Sequence, residues 1–451
     1  MSQVIRGKAT KVAAGCAAAL SAGLAASVLH APVVMGADTV PPPSTAPVLA
    51  PAPVSTGAAP TPAGVRGRVG MLVTKQLKGA SVLVVDPATG TVLVDQRGAR
   101  PRIPASTVKL ATAAAALDAL GPTTTLPTIA YRDDKKVYLV GSGDPTLARK
   151  KGGDPASGGR PSLTDLAKAV AADYGTQTAV QVIYDASAFT GPGLGPGWSS
   201  SFPKVGVAAP VSALVVDGGR VRPGAKSRVQ DPARQAADVF ASLLKSEGLK
   251  VRSVRSGSLD PAATEVARVE SASIADIVER TLTDSDNDYA EALAHLVGGK
   301  VLGRPDFAGG AEATIATLEK LGVDTTGMKL SDGSGLSRRD RMPATALASI
   351  LTAVVTATDP DLVSVASGLP VAGLTGTLAG RFGTTATKAG RGFVHAKTGT
   401  LTGVTSLAGT VLDADGRTLV FAMLDDKVRS IAKVRETMDV VASRLAGCGC
   451  S

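Results

Sequence analysis

The chain reads as an α+β protein: an antiparallel sheet flanked by helices, its first and last segments paired, with a β-rich region inserted after the first helix. Three observations predict this. Apolar alternation marks strands at both ends of the folded part, at 80–85 and 91–94 and again at 393–401, 404–412 and 418–424. Helical periodicity occupies the middle of the chain and its C-terminus. Between 122 and 228 that periodicity gives way to short strand candidates separated by Gly, Pro and Asp.

Residues 1–37 precede the fold and read as a signal peptide or membrane anchor. Arg6, Lys8 and Lys11 make a positive start, and 12–34 holds no acidic or basic residue except His30. The apolar run matches the roughly 20 residues that a spanning helix needs, while Pro32 and the small residues near Ala31 and Ala37 favour cleavage. Too little apolar sequence precedes Cys16 for a lipidation signal. Residues 38–77 are assigned to a linker that opens with Pro41-Pro42-Pro43 and is rich in Pro, Ala, Ser and Thr, a composition suited to an extended spacer. The folded part is expected outside the cytoplasm.

The first hairpin turns at Asp86-Pro87-Ala88-Thr89-Gly90. An alanine-rich helix follows from Ser106 and stops at Gly121-Pro122. The main domain is expected to comprise 78–122 and 229–451, with 123–228 inserted and strand candidates at 137–140 and 180–184. Helices are expected at 234–249, 274–282 and 289–297. Asp413-Ala414-Asp415-Gly416 turns the last hairpin, and a final helix aligns Ile431, Val434, Met438, Val441 and Leu445 on one face.

With 451 residues and 44% hydrophobic content, the chain has ample material for a sizeable core. Its net charge of +10 suits an anionic cell wall or membrane surface. Nucleic-acid binding is not expected, because aromatics are only 3% and the basic residues are scattered. Cys448-Gly449-Cys450 would close only a very small ring and reads as a tail without a catalytic role. With no His/Cys cluster nearby, no metal site is expected.

Three short motifs carry the chemistry: Ser106-Thr107-Val108-Lys109, Ser285-Asp286-Asn287 and Lys397-Thr398-Gly399-Thr400. Ser-x-x-Lys is weak alone, since composition predicts roughly two copies in such a chain. Further copies start at Ser201, Ser242 and Ser430, but only the Ser106 copy opens a long apolar helix and precedes the other two motifs in order. In a helix, positions i and i+3 share a face, so Lys109 reaches the hydroxyl of Ser106. A serine hydroxyl needs a neighbour to take its proton, and Lys109 is expected to do so. Its ammonium form would be disfavoured by burial and by the charge of Lys397. A histidine-based hydrolase is a poor match, because only His30, His295 and His395 exist and no Gly-x-Ser-x-Gly elbow is present.

In this order and spacing the motifs resemble those of the penicillin-recognising serine acyltransferases. Within that group they are most similar to the type-4 low-molecular-mass penicillin-binding proteins, D-alanyl-D-alanine carboxypeptidases and endopeptidases. The resemblance covers roughly 79–447, including Gly143-Asp144-Pro145-Thr146-Leu147, 209–214 and 332–338. It implies a β-lactamase/transpeptidase-like fold and trimming of peptidoglycan stem peptides through an acyl-enzyme on Ser106, which penicillins also acylate. It further implies that Ser285 relays a proton to the departing D-alanine and that Asn287 binds the substrate backbone. Thr398 and Thr400, beside Lys397, would hold the terminal carboxylate. Gly399 leaves room for close approach, and the amides of Ser106 and Thr400 form the oxyanion hole. Arg338 would grip a side-chain carboxylate of the stem peptide. No cofactor is implied. The alternatives are a β-lactamase-like hydrolase and an inert wall-binding protein. Asn287, the sole asparagine, leaves none for the class A deacylation motif.

Overall fold

The structure is a computed structural model that describes residues 58–150, 161–356 and 360–450. The export segment, with Cys16 and His30, and the spacer up to 57 lie outside the described residues. Helix α1 (Pro62–Met71) is capped by Thr61, whose hydroxyl accepts from the Gly64 amide, and it continues into a π-helical turn, Leu72–Gln76. Val65, Val69, Leu72 and Val73 follow the i, i+4, i+7, i+8 spacing of one helix face, and all four are buried. A linker reaching residue 77 is therefore corrected. The small-residue composition hid a short apolar stripe that docks beside the C-terminal helix.

Strands β1 (Ser81–Asp86) and β2 (Thr91–Gln96) form the first hairpin. A 3-10 turn, Ala105–Val108, leads directly into α2 (Lys109–Leu120). The second layer then begins with β3 (Pro127–Asp133), β4 (Lys136–Gly141), α3 (Leu163–Tyr174) and β5 (Ala179–Asp185). It continues with the single turn α4 (Phe202–Val205), then α5 (Pro232–Ser246), β6 (Lys250–Ser256) and β7 (Thr264–Glu270). Its sheet is mixed, with order β6-β5-β4-β3-β7 and parallel pairing at β4/β5 and β5/β6. The second layer thus reaches Glu270, beyond the expected boundary at 228. Helical periodicity in α5 suggested a return to the main domain, but periodicity does not say which sheet a helix covers. Ala236, Phe240 and Leu244 of α5 pack with Val180 and Val182 of β5.

The chain returns through helices α6 (Ile274–Thr283), α7 (Asn287–Leu302), α8 (Phe307–Lys320), α9 (Ala344–Thr356) and α10 (Val363–Ser367). Strands β8 (Val394–Leu401), β9 (Val404–Leu412) and β10 (Thr418–Asp425) and helix α11 (Ile431–Ala446) complete it. The main sheet has order β2-β1-β10-β9-β8, so the first and last strands do pair, with Ser81 opposite Leu424 and Val85 opposite Val420. Both faces are covered. On β10, Leu419, Phe421 and Met423 pack with α1 and α11, while Val420, Ala422 and Leu424 face the layer containing α2 and α9.

Helix α2 is buried along its length from Lys109 to Leu117 and packs against α6, α7, α8 and α9. Its alanines let those helices approach closely, and a helix apolar all round belongs inside a protein. The same packing draws Lys109 out of water. Cys448 and Cys450 are joined in a disulfide and buried, and the Cys450 carbonyl accepts from the Thr61 amide, so this segment is packed against the start of α1.

Candidate active site

Ser106 lies in the first turn of a helix, where amides have no intrahelical partner, and its side chain is partly exposed. The turn is pressed between two glycines. A Cβ on Gly335 (φ +82°) would sit 2.0 Å from the Ala105 carbonyl oxygen and 3.1 Å from the Ser106 nitrogen. A Cβ on Gly399 would sit 2.1 Å from Ser406 Oγ and 2.7 Å from the Pro104 carbonyl oxygen. Side chains are thus excluded on both sides of the candidate nucleophile.

Lys109 is completely buried, and its Nζ has three partners: Ser106 Oγ at 3.2 Å, Asn287 Oδ1 at 2.7 Å and the Ser334 carbonyl oxygen at 2.8 Å. An ammonium donates to all three. A neutral amine has only two N–H groups, so when Asn287 and Ser334 take both, its lone pair is left facing Ser106. Burial lowers the lysine to about 8, against the opposing charges of Glu291, Asp332, Asp286 and Asp288. The nearby carboxylates act to hold the proton on Lys109, and the repulsion between Lys109 and Lys397 acts on both amines. Burial first, and then the charge of Lys109, depress Lys397 well below the ordinary lysine range. The lysines of the other Ser-x-x-Lys copies, Lys204, Lys245 and Lys433, are all exposed.

The second wall comes from the junction of α6 and α7. Asp286 caps α7 by accepting from the Tyr289 amide, and Ser285 stands just before it in the left-handed region (φ +58°). Lys397 Nζ donates to Ser285 Oγ at 2.8 Å and to the Thr398 carbonyl at 3.0 Å. Because Asp286 does the capping, Asn287 is free to bridge Lys109 and the Val207 carbonyl, the latter at 2.9 Å.

Strand β8 is an edge strand. Its outer rim is occupied at the start, where the Val394 carbonyl accepts from Ala372 N and Ala396 N donates to the Pro370 carbonyl. By alternation the backbone groups of Thr398 and Thr400 face the same rim. Lys397 and Gly399 share the buried face, Thr398 Oγ1 donates to Thr377 Oγ1 at 2.9 Å, and exposed Thr400 accepts from Arg435 at 3.3 Å. Arg338 is exposed at the far end, donating to the Thr402 carbonyl at 2.9 Å.

Sequence reasoning missed a group of buried carboxylates beneath Lys109. Glu291 accepts from Gly333 N at 3.0 Å and Ser334 N at 2.8 Å, and burial with the charge of Asp332 raises it to about 8. Asp332 accepts from Gly335 N, Ser337 N and the indole N–H of Trp198. The available signal was Glu291 standing four residues after Asn287, on the same face of α7. His295 is buried against Phe307 and Phe189, and burial pulls it down to about 4. It is a neutral packing residue.

Known proteins carry the same architecture. The model of the D-Ala-D-Ala carboxypeptidase 3 (S13) family matches residues 71–227 and 222–446. Carboxypeptidase DacB of Mycolicibacterium smegmatis is 36% identical over 462 residues, covering 98% of each chain. The D-alanyl-D-alanine carboxypeptidase of an Actinomadura species is 29% identical over 460 residues, covering 82% of each chain. The crystal structure of penicillin binding protein 4 from Haemophilus influenzae superimposes with a TM-score of 0.71 at 22% identity, over 84% of this chain and 98% of that one. With that fold, and with a family match spanning nearly all of the described residues, the chain belongs to the D-Ala-D-Ala carboxypeptidase 3 (S13) family and is a serine-type peptidase.

Proposed function

We propose that this carboxypeptidase works through Ser106 as nucleophile and Lys109 as its base, on peptidoglycan stem peptides ending in D-alanyl-D-alanine. The observation that carries this reading is the partner set of Lys109, two acceptors for two N–H groups and the nucleophile's oxygen for the lone pair. Ser106 Oγ attacks the penultimate D-alanine carbonyl as its proton passes to Lys109. The Ser106 and Thr400 amides hold the oxyanion. The C–N bond then breaks as Ser285, in contact with Lys397, relays that proton to the departing amine, which returns Lys109 to its neutral form. Water later releases the shortened peptide and restores Ser106. Asn287 and the outer rim of β8 align the extended substrate, Thr398, Gly399 and Thr400 receive its terminal carboxylate, and exposed Arg338 receives a side-chain carboxylate. Endopeptidase action on cross-linked peptides is the second reading of the same site.

Family membership implies work on peptidoglycan outside the cytoplasm, delivered by the 1–37 segment as signal or anchor. The test is the intact mass of the protein over several hours with benzylpenicillin, beside Ser106→Ala. We expect a lasting one-to-one adduct that the substitution abolishes. Rapid drug turnover would identify a β-lactamase-like enzyme, and no adduct would identify an inert wall-binding protein.

A further inference from the structure

We propose that Asp332 and Glu291 are positioning residues for Lys109, acting on its amine through the Ser334–Gly335 peptide. The inference rests on the reading of Lys109 as base. The Ser334 carbonyl accepts from Lys109 Nζ at 2.8 Å, and the N–H at the other end of the same peptide, on Gly335, donates to Asp332 Oδ1 at 2.7 Å. A peptide is planar and rigid, so fixing its N–H fixes the direction in which its carbonyl meets the amine. Negative charge at the N–H end also polarises the carbonyl toward the amine's N–H.

Glu291 secures the preceding amides of Gly333 and Ser334. It projects from α7 one turn after Asn287, the other acceptor of Lys109. Both acceptors that direct the lone pair are therefore referred to one helix, directly through Asn287 and through the loop for Ser334. The loop has little freedom to drift, since Gly335 leaves no room for a Cβ against Ala105 and Ser106. Asp332 is held in turn by Ser337 N at 2.6 Å and Trp198 Nε1 at 2.7 Å. Behind it lies buried Asp340, whose carboxyl is raised well above the carboxylate range by burial and by the charge of Asp332, and whose Oδ1 accepts from Ser331 N at 2.7 Å.

The groups facing Lys109 are Glu291, Asp332, Asp286 and Asp288, which hold its proton, and Lys397. His295, also on α7, is neutral. Burial is the largest influence and lowers Lys109, while the carboxylates moderate the fall. Removing the charge of Asp332 or of Glu291 weakens the hold on that proton, so the titration of Lys109 should move downward.

The test is the second-order rate of acylation by a fluorescent penicillin between pH 5 and 10, on the full chain and its Asp332→Asn and Glu291→Gln variants. We expect each variant to lose about tenfold or more of the plateau rate as the amine is misdirected. The midpoint of the acid limb should move down by roughly half a unit to one unit. Slower acylation with an unmoved midpoint would mean a structural role only and would overturn the inference. If Asp332→Asn does not fold, the midpoint of Glu291→Gln decides. Lys109→Ala separates the two levels: retained acylation refutes the base assignment, whereas abolished acylation with unmoved midpoints in the carboxylate variants refutes only the positioning role.

Discussion

The pH dependence of acylation tests the central assignment most directly. With Lys109 at about 8, the neutral amine makes up about 1% of the protein at pH 6, about 9% at pH 7, about half at pH 8 and about 90% at pH 9. If only the amine accepts the Ser106 proton, the rate climbs about ninefold from pH 6 to 7 and about fivefold from pH 7 to 8, then less than twofold to pH 9. These steps are upper limits. Glu291, raised to about 8, ionises in the same window, and its growing charge retains the proton on Lys109, so the limb spreads over a wider range than one titration. The assay is stopped-flow or gel-based acylation by a fluorescent penicillin at constant ionic strength, with a thermal melt at each pH to keep unfolding apart from chemistry. Lys109→Arg is the companion variant, because a guanidinium does not give up its proton, and it should lose roughly 1,000-fold in rate. A flat rate between pH 6 and 9, or Lys109→Arg within tenfold of the wild type, would refute the reasoning.

Gly399→Ala places a methyl 2.1 Å from Ser406 Oγ, whose hydroxyl donates to the Pro104 carbonyl beside the nucleophile. It should slow acylation by about 100-fold and lower stability by about 1–3 kcal/mol, read by rate and chemical denaturation. Phe240→Ala, in the fully buried core of the second layer, should lose about 3–5 kcal/mol while the protein that remains folded acylates at the wild-type rate. A large drop in that rate would show the two layers to be coupled. Arg338→Ala should raise KM by about tenfold for stem peptides with a free side-chain carboxylate and leave kcat, and KM for peptides lacking that group, unchanged.

Much of this molecule was legible because its signals are local. The strands of the main sheet appear in the alternation of 80–96 and 393–425, and α2 in the alanine run closed by Gly121. The Ser106–Lys109 pair is one helical turn. Less local signals misled. The valines of α1 were lost in a Pro/Ala-rich stretch, and α5 was assigned to the wrong layer because an amphipathic pattern marks a buried face without naming what buries it.

The sequence by itself determined the three motifs whose side chains are proposed to carry the chemistry, and their order along the chain. Only the tertiary structure decided which Ser-x-x-Lys lysine leaves water, and what faces its lone pair. The partners of Lys109 lie 178 and 225 residues away, at Asn287 and Ser334. Desolvation is set by everything packed around an amine, and no spacing within the motif encodes it. The carboxylates of Glu291 and Asp332 reach the base only once α7 and the loop after α8 close over α2. Four residues can point to a candidate nucleophile and base, but their protonation depends on folding the rest of the chain around them.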